Sequence, residues 1–301
     1  MYLIHSNGHS ATRWISKNLS IDNFSKCYHS TDLIDLNPKI HNLVKYHKFL
    51  SSLEKKNNFI YGSIHLPFNL SKNDYDQLIE MDVKQFLLVR NPIFKINSIM
   101  QFYLEKFLIY GLFVNKKKVF KDKFNNFNLT IDELFIFCGD NINKLLNKYK
   151  KSKNAYHFKY FIETLKIKIN RILFNENINE NLLKNKKNIE FISCVLINLF
   201  LYALSQCIRF DKNIEIFSND KIVVYEKITS SKEHFIEYSK RFNKNLNEKN
   251  LNLSDFKKKI GVNIKKKNGS YYWPESFYSL LLERIDQKNL FKHYNNLGYN
   301  F

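Results

Sequence analysis

Four short apolar runs in the sequence predict strands that are buried in a sheet. They lie at residues 2–5, 59–61, 85–90 and 221–225, and longer, more polar segments separate them. The run at 85–90 contains four consecutive apolar residues, a pattern typical of a strand buried on both faces of a parallel sheet. We therefore expect these four segments to be neighbours in one sheet.

The segments between and after these runs predict helices. Residues 93–107 place apolar side chains on one helical face. Further helices are expected at 130–185, 189–208, 233–242 and 275–294. Strands that alternate with helices imply a parallel sheet with right-handed crossovers. The pattern thus predicts an α/β protein, with the whole chain, 1–301, forming a single domain.

An arginine ends the most apolar of these strands. Arg90 is followed by Asn91 and Pro92, and proline cannot continue a central strand. Open α/β sheets bind ligands at the carboxyl ends of their strands. Ser98 lies eight residues after Arg90, in the first turns of the next helix, and an arginine with a serine hydroxyl there suits a phosphate. For this segment alone, a helix cap with a surface salt bridge is an equally good interpretation.

A second candidate phosphate site follows the first predicted strand. The polar loop Ser6-Asn-Gly-His-Ser-Ala-Thr-Arg13 contains one glycine, and a helix is predicted from Trp14. A strand, a loop of small residues and a helix can wrap backbone N–H groups around a phosphate. The loop has neither the GxxxxGK[ST] pattern of nucleotide kinases nor the GxGxxG pattern of dinucleotide-binding proteins.

Five segments together resemble the PAPS-dependent sulfotransferase family, and they occur in the family's order. Asn7–Trp14 resembles its 5′-phosphosulfate loop, and Ser63–Pro67 resembles its Lys-Thr-His-Leu-Pro segment. Arg90 with Ser98 resembles its 3′-phosphate motif. Lys221–Glu226 resembles its strand ending in Tyr-Glu, and Leu297–Phe301 resembles its Leu-Gly-Tyr ending. The middle of the chain, about 110–215, matches no family segment.

The resemblance implies a finer fold and an activity. The fold would be three-layer α/β/α with a central parallel sheet, a P-loop-like phosphosulfate-binding strand-loop-helix, and a helical, variable acceptor-side insertion at about 110–215. The activity would be transfer of a sulfuryl group from 3′-phosphoadenosine 5′-phosphosulfate (PAPS) to a hydroxyl group, leaving 3′,5′-adenosine bisphosphate (PAP), without a metal. Because the lysine- and asparagine-rich composition indicates a low-GC, bacterial genome, a carbohydrate of a surface polysaccharide is the expected acceptor, with a small molecule as the alternative.

The resemblance also implies roles for individual residues. His65 would be the base that takes the proton of the acceptor hydroxyl. Arg90 and Ser98 would recognise the 3′-phosphate, which separates PAPS from ATP. Five consecutive loop residues would hold the leaving 5′-phosphate: His9, Ser10, Ala11, Thr12 and Arg13. His9 would also have a catalytic role.

Two aromatic residues would stack on the adenine, and each of these assignments has an alternative. Trp14 and Tyr225 match the family positions, but both are equally typical of core packing. Arg13 could cap a helix, form an ion pair or bind phosphate. Glu226 could simply neutralise the charge of Arg13. Without the resemblance, His65 would be interpreted as a structural histidine at the end of a strand.

Three positions depart from the family pattern. His9 stands in place of the lysine that bridges to the sulfuryl group, Ala11 replaces a glycine, and Ser63 replaces a second lysine. The ordinary histidine pKa near 6.5 leaves His9 mostly neutral at pH 7 unless an anion holds its proton. These departures favour a second interpretation, a catalytically impaired relative that only binds nucleotide. His5 has no family counterpart and is interpreted as structural.

The charge favours anionic partners without selecting one. The net charge is +20, and the lysines form runs at 116–118, 257–259 and 265–267. No RNP, KH or zinc-finger pattern accompanies them, so nucleic-acid binding is a third interpretation and no specific nucleic acid is expected. The run 265–267, with the following Asn and Gly, loosely resembles a basic family motif at the 3′-phosphate.

The remaining features concern location and metals. Met1 leads directly into a strand, without the pattern of a signal peptide, so we expect a cytoplasmic protein. Residues 189–208 carry polar side chains and are expected to form a buried helix. The apolar segment 107–114, beside the lysine run 116–118, could line the acceptor site, lie on the inner, anionic face of a membrane, or belong to the core. The four cysteines fit no CxxC pattern and are expected to be reduced, with no metal site.

Overall fold

The first strand lies at the centre of a five-stranded parallel sheet. In the computed structural model, β1 (Tyr2–His5) pairs with β3 (Ile60–Ile64) on one side and with β4 (Lys84–Val89) on the other. The outer strands are β2 (Ser25–His29), beside β3, and β5 (Ile222–Val224), beside β4. The order is therefore β2-β3-β1-β4-β5, with every pairing parallel. The predicted α/β class with a central parallel sheet is confirmed.

Helices occupy the connections and the segment after β5. They are α1 (Thr12–Asn18), α2 (Leu43–Asn57), α3 (Lys72–Glu80), α4 (Pro92–Tyr103), α5 (Lys186–Asp211), α6 (Tyr225–Ile228), α7 (Lys232–Phe242), α8 (Glu275–Glu283) and α9 (Gln287–Leu290). Short 3-10 segments cover Lys212–Glu215, Asn219–Lys221 and Lys292–Leu297. The structure describes residues 1–6, 8, 10, 12–20, 25–30, 42–57, 60–65, 70–103, 186–242 and 275–301.

The chain divides into two compact units. The first unit contains the sheet and comprises residues 1–91, 210–265 and 293–300. The second unit comprises residues 92–209, 266–292 and Phe301. The single domain expected from the sequence stays a prediction.

One face of the sheet packs against α1 and α7. Tyr2 of β1 stacks on Phe242 with ring centroids 6.0 Å apart, and Phe86 of β4 meets the same ring edge-on at 4.8 Å. Trp14 of α1 contacts Phe235 of α7 edge-on at 4.9 Å. Burial of apolar surface and these aromatic pairs hold the face together. The other buried members of this core are Ile4, Ile15, Leu19, Cys27, Ile64, Leu88, Val223, Tyr225 and Ile228.

The opposite face is held by buried polar contacts as well as apolar ones. Ser63 donates its hydroxyl proton to the carbonyl of Tyr28 at 3.1 Å, so the Tyr46 hydroxyl of α2 donates to Ser63 Oγ, at 2.5 Å. The side-chain amide of Gln85 donates to the carbonyl of Tyr75 in α3 at 2.8 Å. Each of these buried groups thus has a partner, as buried polar groups require. Helices therefore pack against both faces of the sheet.

The edge strand β2 is held by hydroxyl groups of α1 and the residues that follow it. Ser16 donates to the carbonyl of Cys27 at 2.7 Å, and the Cys27 N–H donates to Ser20 Oγ at 2.8 Å. An edge strand leaves such backbone groups unpaired on its outer side. The serines satisfy them, and this explains how a short polar segment forms a strand.

The second unit is described at α4, α5 and α8. The Tyr278 hydroxyl of α8 donates to the carbonyl of Ile93 in α4 at 2.6 Å, and the Tyr278 ring meets Phe200 of α5 edge-on at 6.0 Å. Helix α5 and the 3-10 segment after it make 186–215 helical, as expected, while 110–185 lies outside the described residues. In the described parts of the chain, no helix has the length and apolar character needed to cross a membrane.

Several boundaries differ from the predicted ones. The strand expected at 59–61 is β3, and the helix expected at 275–294 is divided into α8, α9 and a 3-10 segment. Asp286 accepts the N–H of Asn289 at 3.2 Å, a local cap that starts α9 and competes with one continuous helix. The apolar pattern did not predict β2, α2 or α3.

We predict that Gly62→Ala destabilises the protein by about 1–3 kcal/mol, the usual range for an overpacked core. A Cβ at residue 62 would overlap the ring of Tyr2, which lies across the glycine. Urea unfolding measures the loss. In a Tyr2→Leu background the same substitution should cost clearly less, and an equal cost in both backgrounds would contradict the contact.

Candidate functional site

Three of the predicted site residues and one further histidine lie where strands end. His29 ends β2, and His65, Arg90 and Tyr225 directly follow β3, β4 and β5. All strands are parallel, so these ends share one edge of the sheet. The neighbours β1 and β4 continue in opposite directions along the sheet, since β1 leads to β2 and β3 whereas β4 leads to β5. Such a switch point is where open α/β sheets bind ligands.

The loop after β1 is held by its own side chains. Gly8 has a φ of 83°, which a glycine adopts at little cost. The Gly8 N–H donates to Ser6 Oγ at 3.3 Å, and the Ser10 hydroxyl donates to the Gly8 carbonyl at 3.3 Å. Ser10 is thus buried and contributes to the shape of the loop. The predicted donor contacts His9 and Ala11 lie outside the described residues.

His65 is fixed through both its backbone and its ring. Its N–H donates to the carbonyl of Ile4 at 3.2 Å, so the pairing with β1 continues one residue beyond β3. Its φ is 64°, and among the described residues only Asp82, in the turn before β4, is another non-glycine residue with a positive φ. A side chain held in this left-handed region costs energy, and such strain clusters at functional sites. The ring lies against Gly8, since a Cβ there would be 2.7 Å from His65 Cε1.

A second histidine, not anticipated from the sequence, completes this arrangement. His29 stacks on His65 with ring centroids 4.7 Å apart and an angle of 18° between the rings. His29 Nε2 lies 3.1 Å from the hydroxyl oxygen of Thr12, one of the predicted phosphate contacts. The structure therefore brings together Gly8, Thr12, His29 and His65. The sequence signal for His29 was weak, because β2 has no apolar run that would place it at a strand end.

Arg90 and Tyr225 form the second part of the site. The Arg90 guanidinium carbon lies 4.9 Å from the centroid of the Tyr225 ring, a cation–π contact. Tyr225 is 4% exposed. Burial raises the pKa of Tyr225, and the positive charge of Arg90 opposes that rise. The two residues predicted to bind the 3′-phosphate and the adenine are thus in contact with each other.

Glu226 anchors the turn that carries Arg90. Its Oε1 accepts the backbone N–H of Asn91 at 3.1 Å, and its Oε2 accepts the hydroxyl of Tyr299. Burial and the neighbouring carboxylate raise the pKa of Tyr299 well above its usual value, so its hydroxyl stays a donor. The sequence interpretation of Glu226 as a neutralising partner for Arg13 missed this role, because Asn91 and Tyr299 are distant in the chain.

The remaining predicted site residues are placed as follows. Arg13 lies exposed on α1, and Trp14, partly buried, contacts Phe235 as described above. This contact is the core packing that the sequence left open as an alternative to adenine stacking. Ser98 lies partly buried on α4 in the second unit. Ser63, at the position of the second family lysine, faces the interior between Tyr28 and Tyr46.

His5 is a buried neutral histidine, in agreement with its structural interpretation. Gln85 uses its amide group on the Tyr75 carbonyl, so its Oε1 is the acceptor that faces His5 Nε2 at 3.1 Å. This arrangement assigns the proton of His5 to Nε2. Burial lowers the pKa of His5 to about 4, and the hydrogen bond with Gln85 offsets only part of that effect.

Two further observations on the described residues concern metal ligands and thiols. No group of three or more His, Cys, Asp or Glu side chains there is arranged to hold a metal ion. Cys27 and Cys207 are buried thiols, and burial raises the pKa of Cys27 to about 12. A thiol with such a pKa is a poor nucleophile at neutral pH.

The chain was compared with protein families, curated proteins and solved structures. No family model matches it, and no curated protein or solved structure matches it.

We predict that Gly8→Ala is more destabilising than Gly298→Ala. Both glycines have a φ near 85°, so each substitution carries the left-handed cost of about 1–2 kcal/mol. Gly298 has open space around it, whereas a Cβ at Gly8 meets the His65 ring, which adds about 1 kcal/mol or more. Thermal and urea unfolding measure the difference. In a His65→Gly background the excess should disappear, and its persistence would contradict the contact.

We predict that His5 makes the protein less stable as the pH falls from 6.5 towards 4. In this window the unfolded chain binds a proton at His5 and the folded chain does not, because burial lowers the folded pKa to about 4. The free energy of unfolding should fall by about 1.4 kcal/mol per pH unit, about 3 kcal/mol in all. Urea unfolding at pH 6.5, 5.75 and 5 should show a shallower slope for His5→Gln. The exposed His234→Gln serves as control, and a slope in His5→Gln equal to the wild type would refute the assignment.

Proposed function

We propose that the protein is a PAPS-dependent sulfotransferase that moves a sulfuryl group from PAPS to a hydroxyl acceptor, with a carbohydrate as the expected acceptor. One observation carries the proposal: the ring of His65 lies against Gly8 of the loop after β1. The side chain that would act as base is thus beside the loop that would hold the phosphosulfate. The resemblance to the family assigns these two roles to these two segments independently of the structure.

The sheet supports the finer fold assignment, three-layer α/β/α with a P-loop-like strand-loop-helix. Helices pack against both faces, and the loop after the central strand β1 leads into α1. Arg90 directly follows the neighbouring strand β4, on the other side of the switch point. A donor lying across β1 and β4 would therefore meet the loop with its 5′-phosphosulfate and Arg90 with its 3′-phosphate.

The proposed reaction is an in-line displacement at sulfur. His65 takes the proton of the acceptor hydroxyl, whose oxygen forms a new bond to sulfur. The bond between sulfur and the 5′-phosphate oxygen breaks, and its electron pair leaves with PAP. The Thr12 hydroxyl, the loop and His9 would bind the charge on the leaving phosphate, as in phosphoryl transfer, where positioning and charge stabilisation supply the catalysis.

A second candidate function is nucleotide binding without transfer. The observation that favours it concerns Ser63, whose hydroxyl is engaged with Tyr46 and the Tyr28 carbonyl inside the unit. The family has a cationic lysine at this position. Without it, and with His9 in place of the other lysine, the transferring group would meet less positive charge.

The proposed location and partners follow the function. The protein would bind the donor PAPS and a polysaccharide precursor in the cytoplasm, at the inner face of the membrane. The segments that would contact an anionic membrane or the acceptor, 107–114 and the lysine run 116–118, lie outside the described residues, as does the basic run 265–267. A specific nucleic acid is not among the proposed partners.

We predict that the protein binds 3′,5′-adenosine bisphosphate at least about tenfold more tightly than ADP. Arg90→Lys keeps the charge but loses the planar fork that pairs with phosphate, and it should remove most of this preference. Calorimetry measures both affinities. Equal affinity for the two nucleotides would contradict a PAPS site.

The same protein should transfer sulfuryl groups from PAPS, measured as PAP release with a panel of sugar hydroxyl acceptors. His65→Asn is the informative variant, because asparagine tolerates the left-handed backbone, so the imidazole is removed without added backbone strain. It should keep the affinity for 3′,5′-adenosine bisphosphate and lose transfer by about 100-fold or more. Selective nucleotide binding without turnover in the wild type would favour the second candidate, and full turnover in His65→Asn would refute the assigned base.

A further inference from the structure

His29 lies between the predicted phosphate loop and the predicted base. It is the last residue of β2 and pairs in register with Ile64, the residue before His65. It is 7% exposed. Neither the resemblance nor the proposed reaction uses this side chain.

Two contacts connect His29 to residues with assigned roles. Its ring stacks on the His65 ring at 4.7 Å between centroids, and its Nε2 lies 3.1 Å from Thr12 Oγ1. Thr12 is the first residue of α1 and belongs to the segment that would bind the 5′-phosphate. A chain of contacts therefore runs from the loop through Thr12 and His29 to His65.

The position of His65 depends on both of its neighbours. The Ile4 carbonyl holds its backbone, and Gly8 lies against one edge of its ring. The side chain can turn about its Cα–Cβ and Cβ–Cγ bonds, and the His29 ring covers one face of the imidazole. A side chain without a flat ring at residue 29 would give that face less support, and the His65 ring could then turn away from Gly8.

We propose that His29 is a positioning residue for His65. It holds the His65 ring against Gly8 and couples it to the phosphate loop through Thr12. The inference rests on the proposed function, since holding the His65 ring in place matters only if His65 acts as the base in the transfer reaction.

The hydroxyl of Thr12 can transmit the binding of the donor to His29. It has one proton to donate and two lone pairs. When the Thr12 hydroxyl donates a hydrogen bond to a phosphate oxygen, its oxygen accepts the Nε2–H of His29, and this bond fixes the His29 tautomer and ring plane. Donor binding thus orders the ring on which His65 stacks, before the acceptor hydroxyl is deprotonated.

The kinetic test compares variants of His29 with a control. His29→Leu should lower kcat about 10- to 100-fold, the usual effect of losing a residue that orients a reacting group, and leave the Kd for 3′,5′-adenosine bisphosphate unchanged. His29→Phe keeps an aromatic face but loses the hydrogen bond to Thr12, so its kcat should lie between those of the wild type and His29→Leu. Thr12→Val should weaken nucleotide binding as well as kcat. The exposed His234→Leu should change neither. Wild-type kcat in His29→Leu, or a loss of affinity equal to its loss of kcat, would overturn the proposal.

A second measurement reports positioning without relying on turnover. Three-bond NMR couplings across the Cα–Cβ bond of His65 show whether its ring keeps one rotamer. We expect one rotamer in the wild type and His29→Phe, and averaging in His29→Leu. If the wild type neither binds 3′,5′-adenosine bisphosphate nor transfers sulfuryl, the proposed function has failed, and this measurement alone decides the positioning role. The same rotamer in all three proteins would overturn it.

Discussion

The burial of β1 is the constraint on which the first unit depends. Its four residues are all buried, and its backbone pairs with β3 and β4 at the same time. The ring of Tyr2 crosses the sheet over Gly62, which is possible only because residue 62 has no side chain. Since β1 is central, the loop that follows it emerges in the middle of the carboxyl edge. The candidate site is therefore a consequence of where the most buried strand ends.

Strands with apolar runs could be predicted from the sequence, and the edge strand could not. Most residues of β1, β4 and β5 are apolar because both faces of the sheet are covered, so the pattern identifies these strands directly. The segment Ser25–His29 contains one buried apolar residue, Cys27, and it is held by hydroxyls of Ser16 and Ser20. Such a strand depends on contacts made elsewhere in the chain. Helix α3 did carry a local signal, the Ser71 and Asp74 capping box at its start.

The residues of the candidate site also differ in whether the sequence could predict them. His65 and Arg90 could be assigned to strand ends, because each follows an apolar run and matches a family motif. His29 and Glu226 acquire their partners only in three dimensions, from Thr12 and from Tyr299. Ser63 shows the converse: its departure from the family pattern was visible, but its engagement with Tyr46 was not, because α2 was not predicted. Local sequence thus identifies side chains at strand ends, while tertiary contacts determine how they are held.

The contact between Glu226 and Tyr299 has a consequence for biosynthesis. The sheet that carries Arg90 needs only residues up to β5, and domains generally begin to fold while the chain is still being made. The hydroxyl that Glu226 Oε2 accepts comes from residue 299, so until that residue has been made the carboxylate that anchors the Arg90 turn lacks this partner. The sheet can thus form early, whereas the turn that carries Arg90 is completed later. A nascent chain would hold the strands in place well before both oxygens of Glu226 have their partners.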